Sequence, residues 1–309
     1  MMPTKLQFQI EETTKRNRLD NFLAARIMTH SKIYLRNRIG AGACLVNGEI
    51  AERGLHLRAG DSVQIEIDLG AQTSMTPEAV ALEIVFEDNA LLVINKPAEM
   101  LVHPSLGQKN GTLLNALSYY LNRDKIDSEN ASFADEYANS EFVRPFLVHR
   151  LDRKTSGLMV VAKTPEAMRV LSIHFQKRLV EKMYLAIVQG IISVDEGTIE
   201  APIGQDFEER RWKVTTNGKA AETNFRVLQR FSDKTLLELQ PVTGRTNQLR
   251  IHCAHIGYPI VGDDRYGDAN SVSRLCLHAA RLSFRHPTDN NLLEFESDLP
   301  DELKSFLEN

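Results

Sequence analysis

Residues 146 to 164, FLVHRLDRKTSGLMVVAKT, set one carboxylate, Asp152, among four cations, Arg150, Arg153, Lys154 and Lys163, with the apolar run Leu158–Ala162 in between. A valine- and methionine-rich run of that length, entered through a polar turn, reads as a buried strand. Any fold for this chain must therefore hold a charged turn at the mouth of a strand with no polar face. Two readings stand at this point. One is a solvated ion-pair turn. The other is a nucleophile or base in a site built to receive a polyanion.

The chain has 309 residues, 42% of them hydrophobic and 25% charged, which is enough for one large core or two smaller ones. No apolar run approaches the roughly 18 residues that cross a bilayer. The opening MMPTKLQFQIEETTKRNR holds no hydrophobic signal core. Cys44, Cys253 and Cys276 are scattered and lack C-x-x-C spacing, so a reducing cytoplasm is expected, with neither a disulfide nor a zinc framework. The net charge of −4 hides local patches. Residues 15–38 carry seven Lys/Arg against one acid, residues 143–182 carry nine against three, and residues 121–142 carry two against six. Local basic patches, rather than net charge, mark phosphate binding.

A first unit is expected over residues 7–70. RLDNFLAARIM puts Leu19, Phe22, Leu23, Ala25 and Ile27 on one helical face, and SKIYLRNRIG forms a second helix with Ser31 as N-cap and Gly40 or Gly42 as its stop. CLVNGEI reads as strand, Asn-Gly turn and strand, and Val63, Ile65 and Ile67 alternate along a closing strand. Arg18, Leu19, Asp20, Val46, Asn47, Gly48, Gly60 and Asp61 match the hallmarks of the small RNA-binding module named after ribosomal protein S-four, which this unit resembles. Residues 71–81 read as a linker, and residues 82–309 as a larger domain with an acidic surface loop at 124–142. LEIVFEDNALLVINKP reads as two strands about an Asp-Asn turn. TLLNALSYYLNR reads as a helix capped by Thr112, TPEAMRVLSIHFQKR as a helix capped by Thr164, and KAAETNFRVLQRF with KTLLELQPV as a hairpin.

Generic chemistries find little support. There is no P-loop and no G-x-S-x-G, and His252 and His255 lack a glutamate in zincin spacing. Three segments remain: the opening stretch, EKMYLAIVQG at 181–190, and PVTGRTNQLRIHCAHIGYPIVGDDRYGD at 241–268. Taken singly, Tyr184 reads as core, Arg250 as a snorkelling helix residue with a helix start at Thr246, and Cys253 as packing.

Together and in this order, the segments resemble the pseudouridine synthases of the RluA type. The family's H-R-L-D is His149–Asp152, its T-S-G-L is Thr155–Leu158, and its A-K-T is Ala162–Thr164. Its K-x-Y-x-A falls on Lys182, Tyr184 and Ala186, its T-G-R-T-H-Q-[IL]-R-[VI]-H on Thr243–His252, and its G-x-P-I-x-G-D-x-x-Y-G on Gly257–Gly267. Asn247 stands where the family usually has histidine, and Glu99 near a frequent glycine.

The resemblance implies an α+β fold, the small S-four-like module followed by a domain on a mixed, mainly antiparallel sheet with flanking helices. It implies isomerisation of uridine in ribosomal or transfer RNA, ribosomal RNA being favoured, without cofactor or metal, by a cytoplasmic monomer. Asp152 would be the nucleophile or base, Tyr184 would lie against the uracil, and Arg250 would pair with Asp152 and hold its pKa about 1–3 units down. Arg150 would brace the space left by an extruded uridine. Arg153, Lys154 and Lys163 would hold phosphates, joined by Lys32, Arg36 and Arg38 of the first unit. A catalytically inactive RNA-binding assembly factor is the non-enzymatic alternative.

Overall fold

The computed structural model describes residues 4–11, 17–27, 30, 32–68, 76–105, 107–126, 143–206, 208–209, 211–267 and 274–308. The chain divides into two compact units, Met1–Ala81 with His103–Pro145, and Leu82–Val102 with Phe146–Asn309. A single cut near residue 82 does not reproduce this division. Hydrogen bonds explain why residues 103–145 group with the N-terminal unit. Asn115 donates to the Thr76 carbonyl at 2.8 Å, the Glu78 carboxylate accepts from the Gly111 amide at 2.6 Å, and Arg144 reaches the Ala24 carbonyl at 3.3 Å.

In the N-terminal unit, strands Thr4–Gln9, Ser62–Ile67, Cys44–Val46 and Glu49–Ile50 form a four-stranded antiparallel sheet in that order. Helices Leu19–Arg26 and Lys32–Gly40 bury Leu19, Leu23, Leu35 and Ile39 against Val63, Ile65 and Ile67. Asn47 and Gly48 both take positive φ, 54° and 86°, the backbone a two-residue hairpin needs. Ala25 is exposed and does not join the buried face, because a helix of this pitch turns it away from Leu19 and Leu23. The expected cap Ser31 lies outside the described residues, as do 71–75 of the linker and 127–142 of the acidic segment. Thr112 caps helix Leu113–Tyr120 in a reciprocal box with Asn115.

The second unit is built on a ten-stranded mixed sheet. Its main path runs Glu196–Glu200, Glu222–Arg230, Lys234–Pro241, Glu181–Gln189, Leu277–Arg285, Ser156–Ala162, Leu91–Lys96, Glu83–Glu87. Phe146–Leu147 and Leu292–Glu296 add at the sides. Its described pairings are antiparallel except one: Ser156–Ala162 runs parallel to Leu277–Arg285, joined through Ser156↔His278 and Gly157↔Ala279. Gly157 takes φ 117°, and a Cβ there would overlap the Ala279 backbone, so the crossing demands glycine. The run at 156–162 is buried at every residue, as its lack of a polar face requires. The strands at 83–96 turn on Asp88, whose carboxylate accepts from the amides of Ala90 and Leu91 at 2.7 and 2.8 Å. Thr164 caps helix Pro165–Gln176, accepting from the Ala167 amide at 3.1 Å. Among the described residues, no helix is long and apolar enough to cross a membrane.

Candidate active site

The second unit carries a cleft of about 620 Å3 lined by 148–152, Thr155, the end of helix Pro165–Gln176, Lys182, Tyr184, the segment 241–250 and Leu277. The three segments singled out by sequence order thus converge on one cavity. Asp152, Tyr184, Arg250 and Arg150 all line it.

Asp152 is fixed by the turn that precedes the buried strand. The Thr155 amide donates to the Asp152 carbonyl at 3.1 Å, and Lys96 donates to the Arg153 carbonyl at 3.2 Å. Lys96 is wholly buried and also serves the carbonyls of Pro97 and Met100, at 2.7 and 3.0 Å, so one ammonium gathers two chain segments behind the turn. Burial pulls its pKa down to about 8. Upstream, His149 stacks on Phe175 with ring centroids 4.5 Å apart and accepts from the Val160 amide at 3.0 Å. Burial draws its pKa to about 3, which keeps it a neutral acceptor.

Arg250 stands on helix Gln248–His255, and Asn247, at φ 54°, precedes it as N-cap; the helix begins there rather than at Thr246. The left-handed Asn247 backbone explains the shift, because a residue at positive φ cannot lie inside the helix. Arg250 is 7% exposed, so it is a buried cation and not a snorkelling one. Its bidentate partner is Asp263, through Nε at 2.7 Å and a terminal nitrogen at 2.6 Å. Asp263 also accepts from the amides of Arg265 and Tyr266, at 3.0 Å each, and is fully buried. The nearest approach of Arg250 to Asp152 is 3.8 Å.

This arrangement overturns one expectation about charge. Burial raises the Asp152 carboxyl above its ordinary value, and the nearby charges of Arg250 and Arg150 offset that only in part, with Asp263 opposing them. Arg250 cannot depress Asp152 strongly because it spends its fork on Asp263.

Tyr184 lies on the central strand Glu181–Gln189, next to a bulge between Met183 and Tyr184 in its pairing with Leu277–Arg285. Such irregularities re-aim a side chain. Burial, reinforced by the Asp152 charge, pushes its phenol well above the ordinary range, so it stays protonated.

The remaining basic residues separate. Arg150 is exposed at the cleft. Lys154 pairs with Asp264 at 2.8 Å, Arg153 with Glu99 at 3.3 Å, and Lys163 with Glu87 at 2.7 Å; none of the three lines the cleft. Lys182, Arg178 and Arg245 do. In the other unit, Asp20, 1% exposed, gathers Arg18 at 3.0 Å, Lys32 at 3.7 Å and Arg36 at 2.6 Å, and Arg38 donates to the Glu66 carbonyl at 2.8 Å.

The helix that carries Arg250 is anchored on its opposite side. Gln248 accepts from the Thr243 hydroxyl at 2.7 Å and the Arg245 amide at 2.9 Å, and donates to Glu222 and Thr223. His252 sits between the Thr223 hydroxyl and the Ala201 carbonyl, 3.0 Å from each, which gives it a structural role. Burial pushes the Cys253 thiol up to about 12, in keeping with its reading as packing. Sequence reading missed Asp263. An arginine between apolar Leu249 and Ile251 in a helix was the available sign, since a buried guanidinium must find an acid.

Comparison with known proteins bears on the same residues. The RNA pseudouridylate synthase family model matches residues 90–255. The RNA pseudouridine synthase YlyB of Bacillus subtilis, whose function is described as uncharacterised, is 37% identical over 308 residues, covering 99% of this chain and 98% of its own. The ribosomal large subunit pseudouridine synthase D of Pseudomonas aeruginosa is 38% identical, over 92% of this chain and 89% of its own. The solved structure of human RNA pseudouridylate synthase domain containing 4 superposes with a TM-score of 0.57 at 26% identity, over 73% of this chain and 92% of that one. A model matched across more than half the sequence, and a relative aligned from end to end, agree with the cleft: the chain belongs to the RNA pseudouridylate synthase family and is an isomerase.

Proposed function

We propose that this RNA pseudouridine synthase acts on specific uridines of large-subunit ribosomal RNA, with Asp152 as its reacting carboxylate. The observation that carries the assignment is the meeting in one cleft of Asp152, Arg250 at 3.8 Å and Tyr184. Relatives from Pseudomonas aeruginosa, Xanthomonas campestris and Nitrosomonas europaea that bear the name ribosomal large subunit pseudouridine synthase D support the choice of RNA.

The reaction breaks the bond from ribose C1′ to uracil N1 and forms one from C1′ to C5. The C5 proton leaves and N1 gains one, so no oxidant, water or outside group is consumed. A single carboxylate, acting on the sugar or the ring as nucleophile or base, is enough to begin it. The half-buried ring of Tyr184 offers a face against the uracil, worth roughly 1–3 kcal/mol per stacked base, and its protonated hydroxyl relays the C5 proton, passing its own to a water as it accepts. The target must leave its stack, at a cost of a few kcal/mol that is smaller in a loop. Arg150, exposed at the cleft mouth, braces the vacated space.

The cations that line the cleft, Arg150, Arg178, Lys182 and Arg245, are the first phosphate contacts. Arg153, Lys154 and Lys163 contribute outside the cleft by exchanging an acidic partner for a phosphate. The N-terminal unit, S-four-like in its motif, adds a second RNA contact through Lys32, Arg36 and Arg38. The enzyme acts as a monomer in the cytoplasm, a location supported by three buried free cysteines.

Release of tritium from C5-labelled uridine in RNA tests the assignment, because isomerisation liberates it while binding and strand cleavage do not. Asp152→Ala is expected to abolish release and to leave RNA affinity within about ten-fold, since the phosphate-binding charges lie elsewhere. Unchanged turnover in that variant defeats the role of Asp152.

A further inference from the structure

We propose that Asn247 is a positioning residue for Asp152, its carboxamide nitrogen donating to both carboxylate oxygens and holding the acid ionised and aimed into the cleft. This rests on Asp152 being the reacting carboxylate. The matched orientation of the amide puts Nδ2 2.9 Å from Oδ2 and 3.3 Å from Oδ1 of Asp152, and turns its oxygen to the Tyr266 hydroxyl at 3.2 Å.

The backbone explains why this side chain is free to do so. An asparagine at an N-cap ordinarily spends its oxygen on the first-turn amides. Asn247 makes no such bond, because its φ of 54° turns the side chain off the helix axis. Gln248 closes the turn ahead of the cap, accepting from the Arg245 amide at 2.9 Å. Tyr266 fixes the far end, its single hydroxyl proton shared between the Asn247 oxygen at 3.2 Å and the Trp212 carbonyl at 2.9 Å.

The charged and titratable groups facing Asp152 are Arg250, Arg150, Asp263, Lys96 and Tyr184. Arg250 approaches only to 3.8 Å, and Lys96 is spent on three carbonyls. Asn247 therefore comes nearer to the carboxylate oxygens than either of these cations. A carboxamide also suits both states of the acid. Toward the ionised form it presents N–H. When Asp152 carries a proton, a half-turn about the last side-chain bond presents the oxygen, and Nδ2 then donates to the Tyr266 hydroxyl at 3.2 Å. An amide offers a donor and an acceptor at one site without itself titrating.

Three substitutions keep the left-handed backbone accessible: Asn247→Gly deletes the donor, Asn247→Asp keeps the shape but supplies only acceptors and a like charge, and Asn247→His restores a ring N–H. The substrate is total RNA from cells lacking the protein, labelled with tritium at uridine C5, and the readout is the single-turnover rate against pH. In Asn247→Gly the acid limb is expected to move up by about one pH unit, with the rate on that limb down roughly ten-fold and RNA affinity within about two-fold. Asn247→Asp moves the limb further in the same direction, and Asn247→His returns it toward the parent. If the glycine variant melts too early to assay, the aspartate and histidine pair carries the comparison. A slower rate with an unmoved acid limb marks a merely structural residue and overturns the proposal. With Asp152→Asn inactive, that failure belongs to Asn247 alone, whereas turnover retained by Asp152→Asn overturns both assignments.

Discussion

Asp152 is pulled in two directions, since burial favours its neutral form while Arg250 and Arg150 favour the charged one, and burial is the larger effect. The folded protein thus holds this proton more tightly than the unfolded chain, whose carboxyl titrates near 3.8. The stability linked to the group is fully present below that value and is lost as pH rises through the folded one. Above it, the ionised carboxylate opposes folding. Asp152→Asn is therefore expected to raise Tm at pH 8, by roughly 2–4 °C for each kcal/mol relieved, and the gap should close toward pH 4. Calorimetry of the two proteins across that range decides it, and a lower Tm for the variant at pH 8 speaks against the charge balance. Asp152, Tyr184 and Arg250 were legible from three segments in a fixed order. Asp263 and the Asn247 contact were not. Their partners lie 13 and 95 positions away, and no periodicity announces which acid a buried arginine will meet.

Elements with a clear period were readable. The alternation of Val63, Ile65 and Ile67, the capped helices at Thr112 and Thr164, and the Asp88 turn appear as their chemistry demands. The strand Thr4–Gln9 was missed, its half-buried alternation being short and thinly apolar. The parallel join between Ser156–Ala162 and Leu277–Arg285 was beyond local reading, because pairing across 122 residues leaves no mark in either strand alone. Side chains reinforce that join: Ser156 lies 2.8 Å from the His278 ring, and Arg274 donates to the Ser156 hydroxyl at 2.7 Å. Gly157→Ala is expected to cost about 2 kcal/mol or more, since the new methyl meets backbone and the positive φ adds strain. A urea midpoint within experimental error of the parent's argues against so tight a crossing.

At the scale of the whole molecule, basic patches sit within a chain of net charge −4, and they occupy both units. The N-terminal unit closes its own core of Leu19, Leu23, Leu35, Ile39, Val63 and Ile65. Removing residues 1–70 is expected to weaken RNA binding by at least about ten-fold and to flatten its salt dependence by roughly 0.7–0.9 in log–log slope for each phosphate no longer neutralised. Because residues 103–145 group with the deleted segment, the truncated protein is also expected to melt earlier than the parent. Parental affinity and slope in the truncated protein remove the N-terminal unit from RNA recognition. Within the second unit, the two-pair join at Gly157 runs on from Ala279 to Tyr184 in the next strand, with Asp152 only four residues ahead of Ser156. Two broad antiparallel leaves are thus sewn along a spine two stitches long. A flexing of that spine would alter the gap between acid and phenol, whatever the bulk of either leaf.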